Sequence, residues 1–321
     1  LELDVRPHQI EVRLDGYVPF RTTLVPEPGI RQAVHAVLKE EGPAGIPATI
    51  ASPQGVELVL VGPGRFTMGA ARREPGRRAN EALHEVELTR PFYLGSREVT
   101  NKEFREFRSE HRSGSVGHYN LEIDHHPVVN VTWNDAAKYC NWLSERAGLP
   151  PVYVERGGSM VARNPIPNGY RLPTEAEWAW AARYPDSANA RKYAWGDSLP
   201  LPAEAGNYGD SAGASVLGGA VPGYTDGYGG TAPAGSFRAN PLGLYNLGGN
   251  VSEWVHDVYA VTPSPPGEVT RDPTGPSQGA YHVIRGASWM DTNVTELRLS
   301  YRDYGDTARP DLGFRIARSA Q

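Results

Sequence analysis

The stretch GLYNLGGNVSEW, Gly243 to Trp254, packs two asparagines, a glutamate and three glycines into twelve residues. Asparagine and glutamate oxygens are hard donors, and glycine lets a backbone turn its carbonyls inward, so a hard cation such as calcium is one use for the loop. The same composition suits a turn closed by Asx-type hydrogen bonds. Ligand, metal and plain turn all stay open on these residues alone. Other chemistries find less support. The chain has one cysteine, Cys140, which excludes an internal disulfide and a multi-cysteine zinc site. Cys140 recurs with Ala136, Ala137 and Leu143 at helical spacing, so the plainer reading is a small buried apolar residue rather than a reactive thiol. His84, His118, His125, His126, His256 and His282 show no metal-ligand spacing. His125 and His126 are adjacent, so their side chains diverge on any regular element. The sequence contains no GxSxG elbow, no P-loop and no GxGxxG before a helix, and Gly227–Gly230 reads as a turn.

The elements that would position such a loop come in two blocks. Length, 321 residues, allows roughly two domains. Residues 1–41 read as a small β-module, alternating through Ile10, Val12 and Leu14, turning at Asp15-Gly16 and resuming at Tyr17, Val18 and Phe20. A further alternation through Ile30, Gln32, Val34, Ala36 and Leu38 predicts another strand, although a short helix also fits it. Residues 42–54, GPAGIPATIASPQ, have linker composition, and a second domain is placed at 55–321. Two helices stand out in it. One follows Thr132 or Asn134 as cap and stops at Gly148; the other follows Thr174, with Glu177 completing a near capping box. Between about 185 and 250 lies a long tract of short turns, a length that calls for an organiser such as a bound ion or ligand. The seven tryptophans, Trp133, Trp142, Trp178, Trp180, Trp195, Trp254 and Trp289, are expected in the core. Arg171, Arg285 and Arg315 are expected in buried pairs with acids such as Glu175 or Glu253.

The ordered series GRFTMG, EVTNKEF, PVVNVTWNDAAKYCNW, YRLPTEAEWAWAAR, YAWGD, GLYNLGGNVSEW, RGASW and GFRIAR resembles the formylglycine-generating-enzyme (sulfatase-modifying factor) family. The resemblance implies an α+β, C-type-lectin-like fold that is loop-rich and commonly binds calcium. The module before it is similar to a PEGA module. Fold does not fix function. Active members carry a cysteine pair after the GGS-aromatic motif, and here those positions fall on Asp291 and near Glu296. Carboxylates cannot replace the soft thiolates that hold Cu(I). A related branch, the non-haem iron sulfoxide synthases, takes its histidine triad from a preceding helical domain, for which this chain shows a β-module instead. The resemblance implies two calcium sites. The first would use the side chains of Asn246 and Glu253 with the carbonyls of Gly249 and Val251; the second would use Asn207 and Asp226 by side chain with Tyr208 and Tyr228 by carbonyl.

A scaffold of this kind without the oxidase cysteines is left with display. The segment between RGASW and GFR, MDTNVTELRLSYRDYGDTARPDL, offers short polar residues and tyrosines, the chemistry of adaptable binding surfaces. Its position and composition resemble the variable proteins of diversity-generating retroelements. The expected ligand-binding residues are Trp289, Asp291, Asn293, Thr295, Tyr301, Asp303, Tyr304 and Asp306, with Val294, Leu297 and Leu299 pointing inward. Partners are expected to be a protein or small-molecule ligand bound by a monomer. A metal- or oxygen-dependent oxidoreductase and a structural accessory domain are the competing readings. Net charge −5 with no basic stripe argues against nucleic acid. No apolar run reaches the roughly 20 residues of a membrane span. The start lacks the layout of a signal peptide and reads as the middle of a longer chain, so a bacterial cytoplasmic or cell-surface setting is expected.

Overall fold

Helix starts are where this sequence fixes its structure most firmly. In a computed structural model of the chain, three helices each begin with a reciprocal capping box. The structure describes residues 5–320 apart from 14–16, 19, 28–31, 35–38, 41–44, 186–188 and 262–267. Helix α1, Asn101–Phe107, is capped by Thr100 with Glu103. Helix α2, Trp133–Arg146, is capped by Thr132 with Asp135, and Gly148 just beyond it takes φ +66°, the left-handed conformation that ends a helix. Helix α3, Glu175–Arg183, is capped by Thr174 with Glu177. It is buried along its whole length, as its Trp- and Ala-rich sequence suits.

Three sheets carry these helices. One runs in the order Arg302–Gly305, His282–Arg285, Ser252–Val258, Leu312–Phe314, with the last pair parallel and the others antiparallel. That parallel pairing brings Gly313 against a neighbouring backbone: a Cβ there would lie 2.5 Å from the Val128 carbonyl oxygen, so only glycine fits. A second sheet orders Ala317–Ser319, Phe92–Gly95, Glu57–Val61 and Thr49–Ala51. The third joins Val269–Arg271, His84–Leu88 and Gly64–Met68. Residues 49–51, inside the stretch read as linker, are therefore a sheet strand; the flanking proline and glycine masked a short run, Thr-Ile-Ala, that pairs with Glu57–Val59.

The core surrounds Trp254 on one side of these sheets and Trp178 on the other. Trp133, Trp178, Trp180, Trp254 and Trp289 are buried as expected, while Trp142 and Trp195 are half-buried. Buried guanidiniums pin the layers together. Arg315 holds Glu253 at 2.6 Å, Arg285 holds Glu175 at 3.4 Å and Arg171 holds Glu177 at 2.6 Å. Arg298 bolts the C-terminal segment to Glu81 at 2.7 Å and Glu74 at 3.0 Å. Cys140 is fully buried in α2, where burial pushes its thiol well up.

In the N-terminal module His8–Val12 pairs antiparallel with Phe20–Leu24, and Tyr17–Val18 with Lys39–Glu40. The Asp15-Gly16 turn lies outside the described residues, as do Ile30, Ala36 and Leu38. Gln32 and Val34 are not in a strand, and Val34 is 37% exposed: alternation alone does not make a strand where no neighbour covers the apolar side. No helix among the described residues is long and apolar enough to cross a membrane.

Candidate functional site

The segment from Ser288 to Asp311 lies between two strands of one sheet, His282–Arg285 and Leu312–Phe314. Its inward anchors are Leu297 and Leu299, both buried, with Val294 half-buried against the Tyr193–Ala287 cluster. The outward residues divide into three groups. Asp291 is turned toward its own backbone, its Oδ2 accepting from Ser288 N at 2.7 Å and Ser288 Oγ at 3.1 Å. Burial, with the Asp311 charge nearby, pushes this carboxyl up to about 7. Ser288 Oγ also lies 3.2 Å from Asp311, its single proton shared between the two carboxyls; Arg309 bridges Asp311 at 3.0 Å and Asp303 at 2.8 Å. Asp291, Asp303 and Asp311 thus form one connected network with a single guanidinium, an excess of acceptors. The second group is Thr295 and Tyr301, which face the 74–81 loop: Gly76 abuts Thr295 Oγ1, and the Arg78 guanidinium sits 4.7 Å above the Tyr301 ring. The third is Tyr304, 45% exposed and stacked 4.0 Å from Tyr259, with Tyr281 at 5.5 Å. Asn293 and Asp306 are exposed. Trp289 is different: it is 1% exposed, its indole donates to the Pro310 carbonyl, and it belongs to the core with Leu121, Val129 and Val251.

The Gly243–Trp254 loop lies deeper. Asn246 and Asn250 take φ +56° and +69°, the left-handed region that asparagine tolerates better than other side-chain-bearing residues. Both donate to Glu98, Asn246 to Oε2 and Asn250 to Oε1, each at 3.1 Å. Asn250 in turn accepts from Asn207 at 3.1 Å. One side-chain network therefore joins the two loops that the family pattern assigns to calcium. Glu98 is fully buried, and burial pushes it up to about 7. The side-chain oxygens Asn207 Oδ1 and Asn246 Oδ1 are buried and accept no hydrogen bond among the described residues. An orphaned buried amide oxygen is what a bound cation would satisfy. Glu253 does not fit that role in the same way, because Arg315 Nε and Nη2 and the Trp178 indole already occupy both its oxygens at 2.6–2.9 Å. Asp226 accepts from the Tyr208 and Tyr228 amides, both at 2.9 Å, which closes its turn without metal; burial pushes it up to about 6. Among the described residues no group of three His, Cys, Asp or Glu side chains could hold a metal, so a cation here relies on amide and main-chain oxygens.

This combination of capped helices, split sheets and a buried asparagine-rich loop agrees with comparisons with known proteins. The sulfatase-modifying factor enzyme 1-like domain (FGE-sulfatase) matches residues 45–320. The chain belongs to this family. Its fold is accordingly of the formylglycine-generating-enzyme type, α+β and loop-rich. Among relatives, the formylglycine-generating enzyme of Streptomyces coelicolor is 31% identical over 341 residues, covering 89% of this chain and 95% of that protein. The serine/threonine-protein kinase pkn1 of Chlamydia pneumoniae is 27% identical over 339 residues, 96% of this chain but 44% of the kinase. Among solved structures, Treponema denticola variable protein 1 superposes with a TM-score of 0.65 at 25% identity, covering 84% of this chain and 98% of that one.

Within this sulfatase-modifying-factor domain, the stretch after RGASW that the resemblance gives to a thiol pair, at Asp291 and near Glu296, contains no cysteine. Several contributors escape a reading by motif. Ser288, Arg309 and Asp311 complete the acidic network, Arg78 covers Tyr301, and Glu98 ties the two asparagine loops together. Asp311 and Arg309 lie inside the segment singled out from sequence, and Glu98 opens the EVTNKEF motif. Arg78 has no local signal, because it meets the segment from a loop more than two hundred residues away.

Proposed function

We propose that this domain is a non-catalytic binding module that presents the Ser288–Asp311 surface to a protein or small-molecule ligand. The observation that supports the reading is that Asp291, at the first of the family's thiol positions, is tied into a network with Ser288, Asp311, Arg309 and Asp303. Hard carboxylates and a hydroxyl provide hydrogen-bond acceptors rather than a soft site for oxygen chemistry. Tyr304 of the same segment adds a rigid exposed ring, aromatic contact area of the kind found in binding loops. The variable-protein structural neighbour supports a role as a variable protein of a diversity-generating retroelement. Calcium is proposed as a structural ion of the asparagine loops: Asn246 with the Gly249 and Val251 carbonyls, and Asn207 with those of Tyr208 and Tyr228, while Glu253 serves chiefly as the partner of Arg315.

The test is a binding screen against peptide and glycan arrays with the wild type and a Tyr304→Ala, Asp306→Ala double variant, both side chains being exposed. Hits lost in the variant at an unchanged melting temperature support the reading. Hits that survive the double change, or stoichiometric copper or iron in the purified protein, overturn it.

A further inference from the structure

A cavity borders that segment, sharing Ser300 and Arg302 with it. Its volume is about 320 Å³, at the small end of the about 300–1,000 Å³ typical of ligand pockets. Its polar lining comes from Asn80, Glu81, His84, Glu175, Asp257 and the guanidiniums of Arg285 and Arg302. Most of the acids there are matched, two guanidiniums sharing Glu175, while Arg285 Nε is left without an acceptor among the described residues. Arg302 grips Glu175 at 2.5 and 2.7 Å and Arg285 reaches it at 3.4 Å, while Glu81 takes Arg298 at 2.7 Å on both oxygens. His84 is bonded through Nδ1 to the Ala82 carbonyl.

Asp257 is the acid without a charged partner. It is buried and has no ion-pair partner among the described residues. Its Oδ2 accepts from the Glu175 amide at 2.7 Å at the start of α3, and Oδ1 accepts nothing among the described residues. Gly275 packs directly on it, a Cβ there falling 2.9 Å from Asp257 Cβ. A second acceptor lies in the same wall. The Asn80 amide is fixed by donating to Tyr259 Oη at 3.2 Å and the Arg302 carbonyl at 3.1 Å, and this leaves its Oδ1 buried with no donor. The remaining lining includes Met68, Val258, Ala260, Val261, Pro273 and Pro276, an apolar sleeve.

We propose that this cavity binds a primary ammonium group carried on an alkyl stem, with Asp257 as its counter-ion, Asn80 Oδ1 as a second acceptor and the apolar wall around the methylenes. An ammonium has three donors and no acceptor, which matches two unsatisfied acceptors. A metal ion finds too few ligands, because no group of three suitable side chains exists among the described residues. Burial, reinforced by the Glu175 charge, pushes Asp257 up to about 8, so it is protonated at neutral pH. Binding an ammonium ionises it, and the displaced proton leaves to solvent.

The full chain is titrated calorimetrically at pH 7 with butylammonium, in two buffers of different ionisation enthalpy. Saturable binding with release of close to one proton is expected, together with at least a tenfold weaker affinity in Asp257→Asn. That variant keeps an acceptor for the Glu175 amide, and its melting curve verifies folding. Nα-acetyl-lysine methylamide is the second arm: its binding identifies a protein side chain as a source, whereas butylammonium alone identifies a free amine. Tetramethylammonium, which has no N–H donor, is the control. No saturable binding, equal affinity in Asp257→Asn, equal binding of tetramethylammonium, or binding without proton release each overturns the proposal.

Discussion

Replacing Glu253 by glutamine separates two roles for this carboxylate. Glu253 and Arg315 are essentially sealed from solvent, and the pair is joined by three contacts of 2.6–2.9 Å, with the Trp178 indole adding a fourth. Glu253→Gln leaves the Arg315 guanidinium buried without its counter-charge, with one amide oxygen in place of two carboxylate oxygens beside the Gly95 and Tyr245 carbonyls. Breaking a buried pair from one side costs about 3–5 kcal/mol. At about 2–4 °C per kcal/mol for a domain of this size, the midpoint should fall by roughly 6–20 °C. Glu98 lies close enough for Arg315 to lower its pKa, so it can take over part of the charge and place the result toward the small end. The assay is calorimetric melting of wild type and variant, each in excess calcium and in chelator. A double variant, Glu253→Leu with Arg315→Met, should recover much of the loss, because it removes both charges together. A fall below about 2 °C would refute the ion-pair assignment. So would a fall seen with calcium but absent in chelator, since that outcome makes the carboxylate a ligand.

Three further outcomes are expected. Chelating calcium from loaded protein should lower the melting temperature, by roughly 5–10 °C if the ion starts near a hundredfold above its dissociation constant, and Asn246→Ala with Asn207→Ala should lower the calcium content found by metal analysis. Asp291 is raised in the folded state to about 7 from an unfolded value near 3.9, so the native chain binds the extra proton and stability falls as pH rises through that window; Asp291→Asn should therefore raise the melting temperature more at pH 8 than at pH 5. Gly313→Ala should cost about 1–3 kcal/mol in urea unfolding, because its methyl meets the Val128 carbonyl at 2.5 Å.

What could be read from residues alone follows the range of the interaction. Local rules carried the capping threonines of α2 and α3 and the glycine stop of α2, since each depends on neighbours within a few positions. The same signature, Thr100 followed by Glu103, was available for α1. That helix has only seven residues, too few to show a period, so its motif was visible and its helix was not. Arginine burial was legible by residue type, and Arg285 and Arg315 meet the expected acids; Arg171 instead turns to Glu177, the residue already fixed by the cap of α3. The Ser288–Asp311 segment was legible in its alternation of anchors but not in its partners. Arg298 reaches Glu81 across 217 positions, and Arg78 reaches Glu296 across 218, distances over which a sequence leaves no periodic trace. Trp289 shows the converse limit. An aromatic in a binding segment and an aromatic in a core have the same side chain, and only the packing around it decides.

The parallel pairing of Ser252–Trp254 with Leu312–Phe314 bears on when this molecule can fold. The strand at Phe92–Gly95 also waits for Ala317–Ser319, so two of the three sheets stay open at an edge until the C-terminal residues leave the ribosome. Pairings of such sequence separation close slowly. During synthesis the apolar faces beneath Trp254 and Phe92 therefore stay uncovered until residues 312–319 have emerged, a period of exposure in which chaperone capture competes with aggregation.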